Sequence, residues 1–255
     1  MGPDWLLADL GNSRLKWAWL RAGQRGPAEA ISQDKRLPLA PLLGDIWAAA
    51  PAPRRVLICS VADDERNRQL ADWCQNQWQL TPDWFRSSGE LLGLHNAYLE
   101  PTRLGNDRWL AMLAARHLCT GPVAVIDCGT AMTIDLVNAQ GQHQGGWILP
   151  GLGLQRQALL GNTAIRQPAS TKTTLAPGVD TASCIANGIL LGTLGALHLV
   201  ARQLEGHPEW QAMNWVLTGG EAGIIAPFLP WPSRLLPELL LDGLALLAQH
   251  LDESP

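Results

Sequence analysis

The stretch VIDCGTAMTIDLV, Val125 to Val137, sets Asp127, Gly129, Thr130, Thr133 and Asp135 inside what otherwise reads as buried β-structure. A core strand favours branched apolar residues, with side chains alternating between its faces. The segment therefore predicts two strands joined by a turn at Gly129-Thr130. Near the N-terminus, WLLADLGNSRLKWAWL (Trp5 to Leu20) has the same shape, with strands over 5–10 and 14–20 joined at Gly11-Asn12-Ser13. Each turn follows an acid, Asp9 or Asp127, near the end of its first strand. One such turn is an ordinary hairpin; two, each after a buried strand, point to a duplicated unit.

Working outward, RVLICSV (55–61) reads as a short buried strand. ADDERNRQLADWCQNQW follows it, with Leu70, Trp73 and Trp78 spaced as the apolar side of an amphipathic helix. After the polar connection HNAYLEPTRLGN, the segment DRWLAMLAARHL predicts a helix with an acid in its first turn. The second half starts again with strands over PVAVIDC, TAMTIDLV and GQHQGGWILPG, then a helix from Leu152. A Thr- and Pro-rich loop over 168–181 precedes a long helix from Thr181 to Leu204. A strand in MNWVLTGGEAG ends at a Gly-Gly turn, and a C-terminal helix is expected over 235–251. The halves divide near 118–121, giving units 1–118 and 119–255.

Composition narrows the class. The 255 residues are 47% hydrophobic, enough for a sizeable core. A net charge of −4 and a pI near 5.8 argue against a general nucleic-acid binder, which carries a basic patch. Five scattered cysteines without a CxxC pair argue against a disulfide scaffold and a zinc site and suggest a reducing cytoplasm. The opening MGPDWLLADLG does not read as a signal peptide. The longest apolar runs are broken by Gly, His, Glu or Asp, whereas a membrane span needs about 20 apolar residues. A cytoplasmic protein without membrane or nucleic-acid partner is expected. Twelve tryptophans stand against two Phe and one Tyr; they read as general large apolar residues, with Trp17 and Trp147 placed to line a pocket.

Backbone amides in a Gly-Asn-Ser or Gly-Thr turn can converge on phosphate oxygens, and an acid at the strand's end can hold a cation beside them. No Gly-Lys pair of a P-loop occurs, nor a GxGxxG dinucleotide fingerprint. Two hairpins with one acid each remain a way to grip a nucleoside triphosphate. In this the chain resembles the actin, sugar-kinase and chaperone ATPase superfamily. Thr218-Gly219-Gly220-Glu221-Ala222 adds to the likeness: there a Gly-Gly lets adenosine lie on bare backbone, with Glu221 expected to face solvent at the adenine edge. The implied fold is α/β: duplicated ribonuclease-H-like units, each a mixed five-stranded-type sheet flanked by helices, with ATP in the cleft between halves.

Four motifs narrow the resemblance. Asp9-x-Gly11-Asn12-Ser13-x-x-Lys16, Gly105-x-Asp107-Arg108, Asp127-x-Gly129-Thr130-Ala131 and Gly145-Gly146-x-Ile148-x-Pro150-Gly151, in this order and spacing, look like type III pantothenate kinase. The resemblance implies that Asp9, Leu10, Gly11, Asn12, Ser13, Arg14, Leu15 and Lys16 form a phosphate loop, with Asp9 near Mg2+ and Thr130 also touching ATP. It implies that Tyr98, Gly105, Asn106, Asp107 and Arg108 hold pantothenate, and that Asp107 accepts the proton of its primary hydroxyl. Arg108 is either a clamp for the substrate carboxylate or a structural ion-pair partner. Asp127 would ligate a monovalent cation, K+ or NH4+. Thr181 would reach pantothenate from the neighbouring subunit of a homodimer with shared sites. Ile185, Ile189, Ala196 and Leu199 share one face of the long helix as a candidate interface. Ser13 stands where the family usually has Thr; its hydroxyl offers the same donor and acceptor. The helix start after Pro150 could receive a phosphate or carboxylate. The other reading is a non-catalytic regulatory accessory protein on the same scaffold. It would be favoured by loss of Asp9, Asp107 or Asp127, and all three are present.

Overall fold

The computed structural model describes residues 2, 4–34, 36–162 and 173–253. The loop expected over 168–181, with its Thr171-Lys172 pair, lies outside these residues up to 172. The chain forms two compact units, Met1–Leu118 with Glu238–Pro255, and Cys119–Pro237.

The first unit begins with β1 (Trp5–Leu10), β2 (Arg14–Arg21), β3 (Gln24–Arg25) and β4 (Glu29–Ser32). Then come α1 (Leu39–Trp47), β5 (Arg55–Ser60), α2 (Asp64–Trp78), β6 (Asp83–Trp84), the small hairpin β7 (Glu90–Leu91) and β8 (Leu94–His95), and α3 (Asn106–Leu118). The main sheet runs β3-β2-β1-β5-β6, with β4 on β2. β1 pairs antiparallel with β2 and parallel with β5, and β5 pairs parallel with β6. All six residues of β1 are buried, as a central strand covered on both faces requires.

The second unit holds β9 (Val123–Cys128), β10 (Ala131–Val137), β11 (His143–Pro150), α4 (Leu152–Gly161), α5 (Thr181–Leu204), β12 (Asn214–Thr218), α6 (Ala222–Ile225) and β13 (Ser233–Leu235). Its five-stranded sheet runs β11-β10-β9-β12-β13. β9 pairs antiparallel with β10 and parallel with β12, which is parallel to β13. Hairpin, then two parallel neighbours, is the pairing of the first sheet again. Asp9 and Asp127 are each the fifth residue of the central strand. The duplication seen in the sequence is a duplication of topology.

The C-terminal helix α7 (Leu239–Glu253) corrects the expected division, which placed it with the second half. It packs on α3 and β1 of the first unit. Leu239, Leu240, Leu241, Leu244 and Leu247 are buried there, each worth about 1.5–3 kcal/mol on leaving water. A Cβ on Gly243 would stand 2.8 Å from Leu110 Cδ1, so this glycine sets how closely α7 approaches α3. Arg25 bridges Glu238 and Asp242, each at 2.7 Å, and Trp5 Nε1 donates to Asp252 at 2.9 Å. The helix joins the unit that holds the partners for its charges.

Helix α1 had no signal in the sequence reading. Pro38 precedes it without a capping side chain, and the Leu39 N–H is instead met by Gln69 Oε1 of α2 at 2.7 Å. The tryptophans are mainly core. Trp17, Trp47, Trp73, Trp78 and Trp19 form a chain of edge and tilted ring contacts with centroids 4.8–6.2 Å apart. Trp17, expected beside a pocket, is buried in this cluster, whereas Trp147 is exposed.

Among the described residues, α5 is the one helix long and apolar enough to cross a membrane. Leu190, Leu194, Leu197 and Val200 on one side of it join the core of the second sheet. The expected interface stripe is uneven: Ile185 and Ile189 are buried, while Leu199 is exposed.

Candidate active site

In the first unit, Asp9 is nearly buried, and the strand register sets it opposite Lys16 on β2 and Cys59 on β5. The hairpin turn closes with Gly11 N–H donating to Arg14 O at 3.0 Å. Gln33, which the sequence reading missed, braces the turn from outside. Its Nε2 donates to Gly11 O at 2.6 Å and its backbone N–H donates to Ser13 O at 3.0 Å. Asn12, Ser13 and Arg14 are left exposed on the outer side.

Asp107 is the second residue of α3, where the helix N-terminus favours negative charge. Its Oδ1 folds back to accept from Arg108 N–H at 2.8 Å. A Cβ on Gly105 would stand 2.7 Å from that oxygen, so glycine there leaves room for the carboxylate. Arg108 is buried and donates through Nη1 to the Tyr98 hydroxyl at 2.8 Å. The sequence motif and the upstream tyrosine are thus brought together. Tyr98 is placed by Asn96, whose Oδ1 accepts the Tyr98 N–H at 2.9 Å while its Nδ2 donates to Ser88 O and Pro101 O. Asn106, expected at the substrate, uses its side chain on the protein. Oδ1 accepts from Ser87 N–H at 3.0 Å and Nδ2 donates to Ser60 O at 3.3 Å, tying α3 to the end of β5.

Cys59 reports how these pieces converge. Burial pushes its thiol well above the ordinary value, and the Asp9 and Asp107 carboxylates push it further, opposed by the Arg86 guanidinium. Asp9, Asp107 and Arg86 therefore lie within electrostatic reach of one buried sulfur. A thiol held protonated in this way is no nucleophile. Arg86 carried no signal in the sequence.

In the second unit, Asp127 lies opposite Thr133 on β10 and Thr218 on β12. Gly219 has φ +88°, and a side chain on it would strike the Asp127 carboxylate and the Cys128 carbonyl. The protein's own packing demands this glycine, independently of any adenosine laid against it. Glu221 does not face solvent as expected. Its carboxylate accepts from Leu152 N–H at 2.7 Å and Gly153 N–H at 2.9 Å, capping α4. The helix start after Pro150 is thereby filled by an acid of the chain itself. Thr130 is exposed, its carbonyl accepting from Gly151 N–H at 2.9 Å.

Thr181 is the first residue of α5, preceded by the cap Asp180, whose carboxylate accepts from Ser183 N–H at 2.9 Å. These hydrogen bonds hold the Asp180 carboxyl below the usual carboxylate range. Asn187 straps the incoming segment onto the helix, accepting from Thr174 N–H at 2.9 Å and donating to Ala176 O at 2.8 Å. Beside it Thr181, Leu159, Val179 and Ile185 line an open groove of about 700 Å³.

Among the described residues no three His, Cys, Asp or Glu side chains gather as a metal cluster. Asp127 between two threonines offers one carboxylate with neutral oxygens nearby. That donor set suits a hard monovalent cation and not a soft metal.

The model of the type III pantothenate kinase family matches residues 5–203. A type III pantothenate kinase from Nitrosococcus oceani is 34% identical over 254 residues, covering 96% of this chain and 93% of that protein. A solved Campylobacter jejuni protein described as a Baf family transcriptional activator superposes with a TM-score of 0.62 at 19% identity, covering 97% of this chain and 98% of that one. An inorganic polyphosphate/ATP-glucomannokinase from Arthrobacter sp. strain KM gives 0.50 at 13% identity, covering 98% and 100%. These two carry the fold alone. The family match and the near full-length relative go further: the chain belongs to the type III pantothenate kinase family.

Proposed function

We propose that Asp107 takes the proton of the primary hydroxyl of pantothenate as the γ-phosphate of ATP is transferred to it. The reaction itself follows from the family: the chain is an ATP-dependent kinase making 4′-phosphopantothenate, the first step of coenzyme A biosynthesis. Phosphoryl transfer has a loose transition state, so in-line positioning and charge stabilisation dominate. The observation that carries the proposal is the Asp107 carboxylate at the start of α3, lodged over Gly105 and sharing the neighbourhood of Cys59 with Asp9.

The turn from Gly11 to Lys16 cradles the ATP phosphates, and Thr130 touches the nucleotide. Mg2+ bound with ATP would supply charge neutralisation, and Asp9 is the carboxylate that would hold it. Tyr98 and Arg108 shape the pantothenate site. Asp127, with Thr133 and Thr218 beside it, holds K+ or NH4+. Two copies associate through the exposed side of α5, where Leu191 and Leu199 lie open, and Thr181 completes the neighbour's site. The enzyme works in the cytoplasm.

Purified chain incubated with ATP, Mg2+ and pantothenate, in K+, NH4+ or Na+, tests this by mass spectrometry of the product. Phosphopantothenate in K+ or NH4+ and little in Na+ is expected. Equal turnover in Na+ removes the monovalent-cation site, and no product in any cation removes the kinase reading.

A further inference from the structure

Gln33 stands one residue beyond β4 and holds the turn between β1 and β2 at two points. Its Nε2 donates to Gly11 O at 2.6 Å and its backbone N–H donates to Ser13 O at 3.0 Å. In a two-residue hairpin the carbonyl before the turn accepts from the N–H three residues later. Here Gln33 takes the Gly11 carbonyl instead, while Gly11 N–H donates to Arg14 O at 3.0 Å. A trans peptide sets its C=O and N–H on opposite sides. With the carbonyls of Gly11 and Ser13 drawn to Gln33, the N–H groups of Asn12 and Arg14 are turned away from it. The brace is itself anchored. β4 pairs with β2 from Ser32 to Glu29, and the carbonyl of the next residue, Asp34, accepts from Nη2 of the buried Arg66 on α2 at 2.6 Å.

Gly11 O can only accept, so the amide nitrogen of Gln33 faces it. That leaves Gln33 Oε1 buried, with no hydrogen-bond donor among the described residues. An unpaired buried acceptor is unfavourable, and an apolar side chain of the same size would avoid it. Local conflicts of this kind are kept where a site needs a fixed geometry. Resting on the reading above that this turn meets the ATP phosphates, we propose that Gln33 is a positioning residue for the nucleotide. It fixes the turn 11–14 so that the Asn12 and Arg14 N–H groups are set towards the triphosphate before it binds. Gln33 itself touches no phosphate. A turn held in advance loses less conformational freedom on binding, and converging backbone amides are suited to phosphate oxygens. Phosphoryl transfer in turn depends mainly on such positioning.

The test measures the ATP and pantothenate KM values and the urea midpoint in wild type, Gln33→Met and Gln33→Glu. Methionine keeps the length and removes both the donor and the unpaired acceptor. Glutamate keeps the shape and turns an acceptor towards Gly11 O. Gln33→Met is expected to raise the ATP KM about fivefold, the size of one net hydrogen bond, with the pantothenate KM and the urea midpoint close to wild type. Gln33→Glu is expected to raise the ATP KM further. An unchanged ATP KM in both variants, or an equal rise for both substrates, overturns the proposal. If wild type transfers no phosphate, the kinase reading fails separately, and calorimetric titration of ATP with Mg2+ into wild type and Gln33→Met decides. Weaker binding in the variant upholds the role of Gln33. Equal affinities, or no binding to either, overturn it.

Discussion

Arg108 Nη1 donates to the Tyr98 hydroxyl at 2.8 Å, joining a buried cation on α3 to a loop ten residues earlier. Tyr98→Phe removes that acceptor while keeping the ring beneath the guanidinium, 5.8 Å away. A net loss of about 1 kcal/mol of stability is expected, from hydrogen-bond energetics. The pantothenate KM is expected to rise more than the ATP KM. Urea unfolding and steady-state kinetics check both; equal effects on the two substrates would detach Tyr98 from the acceptor site.

Glu221 capping α4 sets a second expectation. Glu221→Ala leaves the N–H groups of Leu152 and Gly153 without their carboxylate, costing about 1 kcal/mol as lost helix caps do. Glu221→Gln is expected to fall between wild type and Ala. If Ala unfolds at the wild-type urea concentration, the cap contributes nothing.

Gly219 combines a positive φ with close packing against Asp127 and Cys128. Gly219→Ala is expected to cost more than about 1 kcal/mol, since the backbone is unsuited to a Cβ and the neighbouring carboxylate must move. On the proposed cation site, the variant also needs a higher K+ concentration for half-maximal activity. A K+ titration with wild-type midpoint would separate Asp127 from the cation.

The buried thiols predict an alkaline limit. Burial pushes Cys74 up to about 12, and burial with the Asp127 and Glu221 carboxylates pushes Cys128 up to about 12. A folded-state value raised above the unfolded one leaves its stability contribution intact below the ordinary thiol value. That contribution is then lost as pH rises toward the folded value. The urea midpoint is expected to fall between about pH 9 and 11, with a shallower slope in Cys74→Ala. Identical slopes would contradict the assignment. In the folded chain Cys184, the exposed thiol, should react first with an alkylating reagent.

The hairpins at Asp9 and Asp127 were legible because strand alternation and turn chemistry are local, and their repetition made the duplicated fold legible too. What the sequence hid depends on distant partners. α1 draws its N-terminal acceptor from Gln69, and α7 joins the first unit through Arg25, Trp5 and Leu110. Strands β6 and β13 are too short to show a period. At the site, the acids and the Tyr98–Arg108 pair were readable from motifs. Asn96 and Gln33 were not, because their roles come from how loops are tied to strand ends. Glu221 was misread because its partners lie 68 and 69 positions away.

The central claim is that Asp107 serves as the proton acceptor in phosphoryl transfer to pantothenate. The most direct test is kcat of Asp107→Asn with ATP and pantothenate in K+, alongside pantothenate affinity by calorimetry. The account predicts a kcat lower by about 10²–10⁴, the usual contribution of a general base, with binding retained. Turnover near wild type in Asp107→Asn would contradict it.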